Sequence, residues 1–469
     1  MPFYILLLQA FLAAPSLAAL FPRSNQTTQS AAAQACSQLA TTLGPSLVQS
    51  SGAQYDGTTS NAWNLLNTDF QPTCIVYPQA AQDVQTAMKA IYNAGSHYAV
   101  QAGSHSAMKG WNTVQDGVLI SFSQMKNVSY DPVTDSITLQ PGVHWDEAIT
   151  ALEPLGVAPV GGDDVGTGFF LGGGLSWLST SQGYAADTFE ELDVVLVTGE
   201  LVTATATNQY SDLFRALKGG GNRFGIFNSS SAAALLNATA KYTRETTDPK
   251  AIAAVVFTDA VVEGQVYSVY HAFLFYNGTE LPTSVFGDFL SIPAVETQLG
   301  PLSYFDMSFI LGLENDRGYV EHFGASALVG EEALFLDAFN HWSNFSTTFA
   351  SSFNESTLVF TPILDSQIQA GRARGGNIID APHGQFASVL IEQQFAAGIQ
   401  DISPALQNGI DLLFQQIPPS AGLPLFLNEC DAAQNVFATY GDYDLLKATY
   451  AKYDPTGFNV AHTQGPIGL

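Results

Sequence analysis

The turn Gln101-Ala102-Gly103-Ser104-His105-Ser106 carries the most chemistry for its length in this chain. Small residues after a strand leave backbone N–H groups open to a phosphate, and a histidine inside such a turn can touch whatever is bound. A second candidate is the glycine-dense run Gly161-Gly162-Asp163-Asp164-Val165-Gly166-Thr167-Gly168-Phe169-Phe170-Leu171-Gly172-Gly173-Gly174. Glycine lets a ligand approach the backbone closely; so much of it would be costly in a plain core. Taken alone, a glycine-serine turn with a histidine is more often only a turn. A third candidate is Glu392, within Val389-Leu390-Ile391-Glu392-Gln393-Gln394-Phe395. A carboxylate on an otherwise apolar strand has a raised pKa if buried, which suits a general base. The bland alternative is a solvated glutamate on an edge strand. His383 and Tyr440 are lesser acid–base candidates. His144, beside Pro141-Gly142, reads as structural, and Asp163 and Asp164 read as solvating a loop.

Periodicity supplies the elements that must position these groups. A strand at 74–78, a helix at 81–94 and a strand at 97–100 lead into the histidine turn. Strands are expected at 117–122, 128–130 and 136–140, then a helix at 145–153 with Trp145, Ile149 and Leu152 on one side. Residues 192–204 read as a hairpin turning at Thr198-Gly199, and 212–218 as a short helix. The Ser/Thr/Gln/Ala-rich segment 20–35 is expected to be unstructured, 36–43 a short helix, and 55–63 polar and turn-like. Residues 227–250 lack a strong pattern and mark a boundary. Beyond it strands and helices alternate to about 425, with strands at 253–257 and 389–391 and a helix at 331–342.

Composition narrows the partners. With 15 Lys+Arg against 42 Asp+Glu the formal net charge is −27, so nucleic acid and acidic membrane surfaces are poor partners and neither is expected. The apolar start, broken by Pro15 and followed by small residues at Ser16-Leu17-Ala18, reads as a signal peptide over 1–19. Secretion, with no membrane attachment once it is removed, is the expectation. Glycosylation acceptors begin at Asn25, Asn127, Asn228, Asn237, Asn277, Asn344 and Asn354. Of the three cysteines, Cys36 and Cys74 are the expected disulfide, tying the start of the mature chain to the first strand; the other two pairings stay open. A dinucleotide G-x-G-x-x-G between strand and helix, a P-loop, a G-x-S-x-G elbow and zinc-ligand spacing are all absent from the sequence, so no metal site is expected.

Four segments fall in order: Gln101–Ser106; Val165-Gly166-Thr167-Gly168 through Gly172-Gly173-Gly174 to Gly183-Tyr184-Ala185-Ala186-Asp187; Asp212-Leu213-Phe214-Arg215-Ala216-Leu217-Lys218-Gly219-Gly220-Gly221-Asn222-Arg223-Phe224-Gly225-Ile226; and Phe426-Leu427-Asn428 with Tyr440-Gly441, Tyr453-Asp454-Pro455 and Phe458. On these, the chain resembles the berberine-bridge-enzyme-like flavoprotein oxidases of the vanillyl-alcohol-oxidase superfamily, in their secreted fungal branch. The resemblance implies an α+β fold: a PCMH-type FAD-binding domain of two α+β subdomains over 36–245, a substrate domain over 250–425 with an antiparallel sheet backed by helices, and a C-terminal segment, 426–469, returning to the first domain. It implies FAD held by Gln101, Ala102, Gly103, Ser104, His105, Ser106, Val165, Gly166, Thr167, Gly168, Gly172, Gly173, Gly183, Asp187, Gly221, Asn222, Gly225, Ile226 and Asn428, and bonded covalently through His105. It implies hydride transfer from a small-molecule C–H (alcohol, sugar or specialised metabolite) to the flavin, with O₂ as acceptor. The base would come from a substrate-domain strand facing the flavin, with Glu392 the candidate and Tyr440 a lesser one. Gln101 replaces the family's arginine, Ser104 its second glycine, Ala107 an aromatic and Phe426 a tyrosine. The lack of a cysteine near Gly162 implies a single covalent bond. These departures leave a flavin-binding protein without turnover, or a flavin dehydrogenase or cyclase of specialised metabolism, as the alternatives.

Overall fold

Helix α1 spans Asn25–Leu43, where the sequence suggested an unstructured lead into a short helix. The stretch is rich in alanine, the strongest helix former, and its buried residues Ala32, Ala35 and Leu39 give it a face to pack. Cys36 on this helix is bonded to Cys74, with Cα atoms 5.9 Å apart, as expected; Cys430 is a buried free thiol. Strand β1 (Val48–Gln49) and helix α2 (Ala53–Thr59) follow. The turn-like expectation for 55–63 is therefore corrected over its first half. Tyr55 is buried there and donates its hydroxyl to the Pro72 carbonyl at 2.6 Å.

This computed structural model describes residues 25–162, 166–219, 232–294, 300–301, 303–306, 317–399 and 401–469. The signal segment 1–19, the side chain of Asn25, Asn228, Asp163, Asp164, Val165, Gly221, Asn222, Gly225 and Ile226 lie outside the described residues.

Strand β2 (Cys74–Val76), helix α3 (Ala81–Ala94), strand β3 (Tyr98–Gln101) and strand β4 (Val118–Ser121) build the first sheet. Its order is β1-β2-β4-β3; β4 runs parallel to both neighbours, with Val76 and Val100 each opposite Ile120. Helix α3 starts where Asp83 accepts from the Gln79 and Ala80 N–H groups at 2.9 and 3.2 Å. It stops at Gly95, which takes a left-handed φ of 65° that favours glycine. Between these ends Val84, Ala87, Met88 and Ile91 form the face buried on the sheet. Two hairpins come next, β5 (Val128–Asp131) with β6 (Ser136–Leu139) and, beyond helices α4 (Trp145–Leu152) and α5 (Ser179–Gln182), β7 (Glu191–Val195) with β8 (Leu201–Thr205). Helix α6 (Ser211–Ala216) closes this half.

Helix α7 (Ala232–Glu245) occupies most of the segment that showed no pattern. Its buried face is Leu235, Leu236, Ala238, Thr239, Ala240, Tyr242 and Thr243. The small and hydroxylated residues in that face hide the apolar periodicity, and close packing onto the next sheet does the work that large side chains do elsewhere. Strands β9 (Ala251–Val262), β10 (Gln265–Tyr276), β11 (Glu321–Val329), β12 (Phe353–Ile363) and β13 (Phe386–Phe395) form an antiparallel sheet of order β10-β9-β12-β13-β11. Helices α7, α8 (Thr283–Leu290), α9 (Glu332–Thr348) and α11 (Pro404–Gln416) back one face, over a core that includes Phe257, Phe335, Trp342, Phe360 and Ile391. Helix α10 (Asp365–Ala373) joins β12 to β13. The C-terminal segment, with helices α12 (Tyr443–Tyr453) and α13 (Phe458–His462), returns to the first half: Phe458 packs in the first-sheet core, and Tyr453 donates to Asp212 at 2.8 Å. The fold is α+β, as expected.

Candidate active site

Strand β3 ends at buried Gln101, and the chain then passes through Gly103 to Ser104, whose φ is 69°. That left-handed conformation penalises a Cβ, which explains why the resemblance places a glycine there. Two hydrogen bonds hold Ser104 in it. The Trp63 N–H and the Asn112 side-chain amide both donate to the Ser104 carbonyl, at 3.1 and 2.8 Å. One residue on from Trp63, fully buried Asn64 donates to the carbonyls of Ala107 at 2.7 Å and of Glu321, on β11, at 2.8 Å. Asn67 donates to the Met108 carbonyl at 3.2 Å and accepts from the Gly110 N–H at 2.7 Å. So the segment 63–67 clasps the histidine turn against the second sheet. The sequence reading missed it; its signal was a pair of asparagines set in the apolar run Ala62-Trp63-Asn64-Leu65-Leu66-Asn67. His105 itself is half-buried and stacks on Trp63, ring centroids 4.2 Å apart and planes within 16°.

The second glycine run reaches the first directly. A Cβ on Gly166 would lie 2.5 Å from the Gly103 nitrogen and 2.6 Å from its Cα, so only glycine lets these two turns touch. Thr167 donates its hydroxyl to Pro141 at 2.7 Å, and His144 bridges Gly166 through its backbone, the structural part expected of that histidine. Further on, the Ala185 and Ala186 N–H groups donate to Gly174 and Gly173 at 2.9 and 2.8 Å. The loop ends at Asp187, 2% exposed. Its carboxylate accepts from the Tyr184 N–H at 2.9 Å and from the Asn377 amide at 3.1 Å on both oxygens. Lys218, 1% exposed, lies alongside, 3.5 Å from the Asp187 carbonyl and over the Phe214 ring. Burial pushes the Asp187 carboxyl up and the Lys218 ammonium down. Desolvation thus outweighs their attraction at both ends. Asp187 ties its loop to residue 377; its oxygens are occupied within the protein.

The residues present fit a flavin dinucleotide. The Gly103 and Ser104 N–H groups donate to no acceptor among the described residues. The Ser104 hydroxyl and the Asn428 side-chain nitrogen are buried and likewise lack a hydrogen-bond partner among them. Buried polar atoms of this kind are rare unless a bound group satisfies them. Asn428 sits in the short turn Leu427–Glu429 of the returning segment. Two small cavities among the described residues, one lined by Tyr184, Ile379, Ser388 and Phe426 and one by Arg372, Asn377 and Asp380, each hold about 10 Å³. That is one water's space, so neither is a substrate pocket. No group of His, Cys, Asp and Glu among the described residues is placed to hold a metal ion.

Glu392 does not stand on an edge. Strand β13 lies between β12 and β11, which removes the bland alternative as it was stated. Directly paired residues share a face of a sheet, and Glu392 pairs with Phe323 on one side and Thr357 on the other. Thr357 continues to Thr258, hydroxyl to hydroxyl at 3.0 Å. On this same face Phe323, Leu390, Val359 and Val256 cluster with Trp63. The half-buried Glu392 therefore belongs to the sheet face that meets the Trp63–His105 stack. His271, opposite Val256, shares that face, and burial pushes its pKa far below the usual range; it is a neutral imidazole that strand alternation could have flagged. Tyr440 is placed elsewhere. It is buried with Tyr184, Ile379 and Phe426, its hydroxyl donates to Gly219 at 3.4 Å, and burial holds its pKa well above normal. The structure does not bring it to the His105 cluster. His383 is bonded to Arg372 on an exposed loop.

The returning segment is fixed to the sheet by two devices. Gln434 pairs with Ala325 as a strand would, accepting from its N–H at 2.9 Å and donating to its carbonyl at 2.8 Å. Asp431 meets His322 Nε2 at 3.1 Å. Burial raises the Asp431 carboxyl, but the hydrogen bond and charge of His322 and the Ala433 and Ala432 N–H groups outweigh it and hold the pKa below normal. A depressed folded-state pKa means that this contribution is present above about pH 4 and is lost as pH falls. Asp431→Asn is expected to cost about 1.5–3 kcal/mol at neutral pH and to be less sensitive to acid than the native chain. Denaturant midpoints measured at neutral and acid pH check this; equal acid losses in the two proteins would rule it out. In the same segment buried Glu429 accepts from the Ser388 hydroxyl at 3.2 Å.

Comparison with known proteins gives three further findings. Residues 72–205 match the FAD binding domain family. An uncharacterized FAD-linked oxidoreductase of Arthroderma benhamiae is 27% identical over 86% of this chain and 88% of its own length, and the FAD-dependent monooxygenase drtC of Aspergillus calidoustus is 26% identical over 86% and 84%. The structure of berberine bridge enzyme shares the fold, with a TM-score of 0.69 at 14% identity over 93% of this chain and 99% of that one.

Proposed function

Because the chain belongs to the FAD-linked oxidoreductases of berberine-bridge-enzyme-like fold, we propose that it oxidises a C–H group of a small molecule, with FAD joined to His105 and O₂ as the final acceptor. Bound FAD would supply hydride acceptance and the return of electrons to dioxygen. The chain supplies the rest. The touching turns at Gly103 and Gly166, with their open N–H groups, hold the phosphates. Asn428 donates its unmatched amide to the bound group. Glu392 takes the proton that leaves the substrate as its hydride departs. The single observation that carries this reading is the shared face: His105 stacks on Trp63, and Trp63 packs with Leu390 and Phe323 on the face where Glu392 stands. The monooxygenase name of the Aspergillus relative favours an acceptor role for oxygen.

The expected result is a yellow protein whose flavin stays with the polypeptide after acid precipitation. His105→Ala should release it to the supernatant while the absorbance of the folded protein persists. Flavin retained by His105→Ala would refute attachment there, and a protein that takes up no FAD would refute the whole reading. We read the chain as secreted on two grounds. The Cys36–Cys74 bond suits an oxidising compartment, and Asn127, Asn237, Asn277 and Asn344 are exposed. Asn354 differs: its amide donates to Gln394, which withholds the nitrogen a glycan would need.

A further inference from the structure

We propose that Trp63 is the positioning residue that sets the His105 imidazole for attachment to the flavin, an inference that rests on the attachment reading above. A nitrogen of imidazole attacks along a lone pair in the ring plane. Fixing the plane therefore fixes the direction of attack. Trp63 does this from a fully anchored position. It is 4% exposed, lies parallel to the imidazole at 4.2 Å, and is braced from behind by Phe323 at 5.4 Å. Val256, Val359 and Leu390 complete its bed. Its own N–H donates to the Ser104 carbonyl, so backbone and ring hold the same turn from two sides, and Asn64 then fastens both to β11. The Ser104 φ of 69°, just before the histidine, is a conformation that needs outside support.

The bond formed is C–N, between an imidazole nitrogen of His105 and the methyl carbon of the flavin ring. One imidazole N–H and one methyl C–H break. Both hydrogens leave as protons, and the two electrons pass to the ring, from which dioxygen takes them with the protons as hydrogen peroxide.

The test uses the purified protein supplied with FAD and compares Trp63→Phe, Trp63→Leu and the native chain. The fraction of the His105 peptide that carries flavin mass is followed over time, with melting temperature and total bound flavin as controls. Phenylalanine keeps a flat face and should attach flavin at close to the native rate. Leucine fills much of the space without a face and should attach it on the order of 10²-fold more slowly, the cost of a small misplacement, while still binding flavin non-covalently. Equal rates for Leu and Phe would overturn the positioning role. A native protein whose His105 peptide never carries flavin would overturn the attachment reading itself, and this proposal with it.

Discussion

Glu392→Gln is expected to lower the turnover number by about 10²–10⁴-fold, the usual contribution of a positioned general base, with KM and flavin content little changed. Glutamine keeps the shape and the strand pairing to Phe323 and Thr357, so the fold should hold. What it removes is the capacity to take a proton on the face that carries the Trp63–His105 stack. The surroundings leave few substitutes. His271 shares the face but is half-buried, and desolvation pushes its pKa far below the usual range, so it takes up a proton poorly; Glu321 also lies on this face, where it accepts from the Gln394 amide at 2.9 Å. The measurement is stopped-flow reduction of the flavin by substrate, native against variant. An unchanged reduction rate would remove Glu392 as the base. A pH profile that loses its acid limb in the variant would add the protonation assignment.

Asp187→Ala is expected to destabilise the protein by about 3–5 kcal/mol, the penalty for leaving a buried partner charge uncompensated. Asp187 collects the Tyr184 N–H, both contacts from Asn377 and the neighbourhood of Lys218, at 2% exposure. Two glycines, Gly183 and Gly371, stand aside for it: a Cβ on either would come within 2.7 or 2.3 Å of a carboxylate oxygen. Alanine removes the negative charge beside the buried Lys218 ammonium and leaves the Asn377 amide unmatched. Adding Lys218→Met should recover part of the loss, since apolar replacement of a buried pair is often neutral or stabilising. Denaturant midpoints of the two variants check this. If the single change costs under about 1 kcal/mol, in the range of an ordinary surface substitution, Asp187 is not the tie described here.

Local elements were legible because their signals are local. The strand, helix and strand at 74–101 follow from apolar periodicity and from Gly95 as a stop; the hairpin at 191–205 follows from alternation and its glycine turn. The helix at 232–245 was not legible, because alanine and threonine fill much of its buried face and carry no strong hydrophobic rhythm. The start of α1 was missed for a related reason: a polar, alanine-rich stretch reads as unstructured until something covers its alanines.

The sequence by itself determined which residues can do chemistry. It offered a glycine-serine turn with His105, a second glycine run, a carboxylate on an apolar strand and a returning segment with Asn428, each marked by residue type. Only the tertiary structure decided which of them meet. The contact of Gly166 with Gly103, the paired register that sets Glu392 beside Phe323 and Thr357, and the stack of Trp63 on His105 all join residues far apart in the chain. Their spacing leaves no periodic trace, since such contacts depend on how sheets and loops pack. Asp187 shows the same division: its acidity was plain in the sequence, but its use as an internal tie required Asn377 to arrive from 190 positions away.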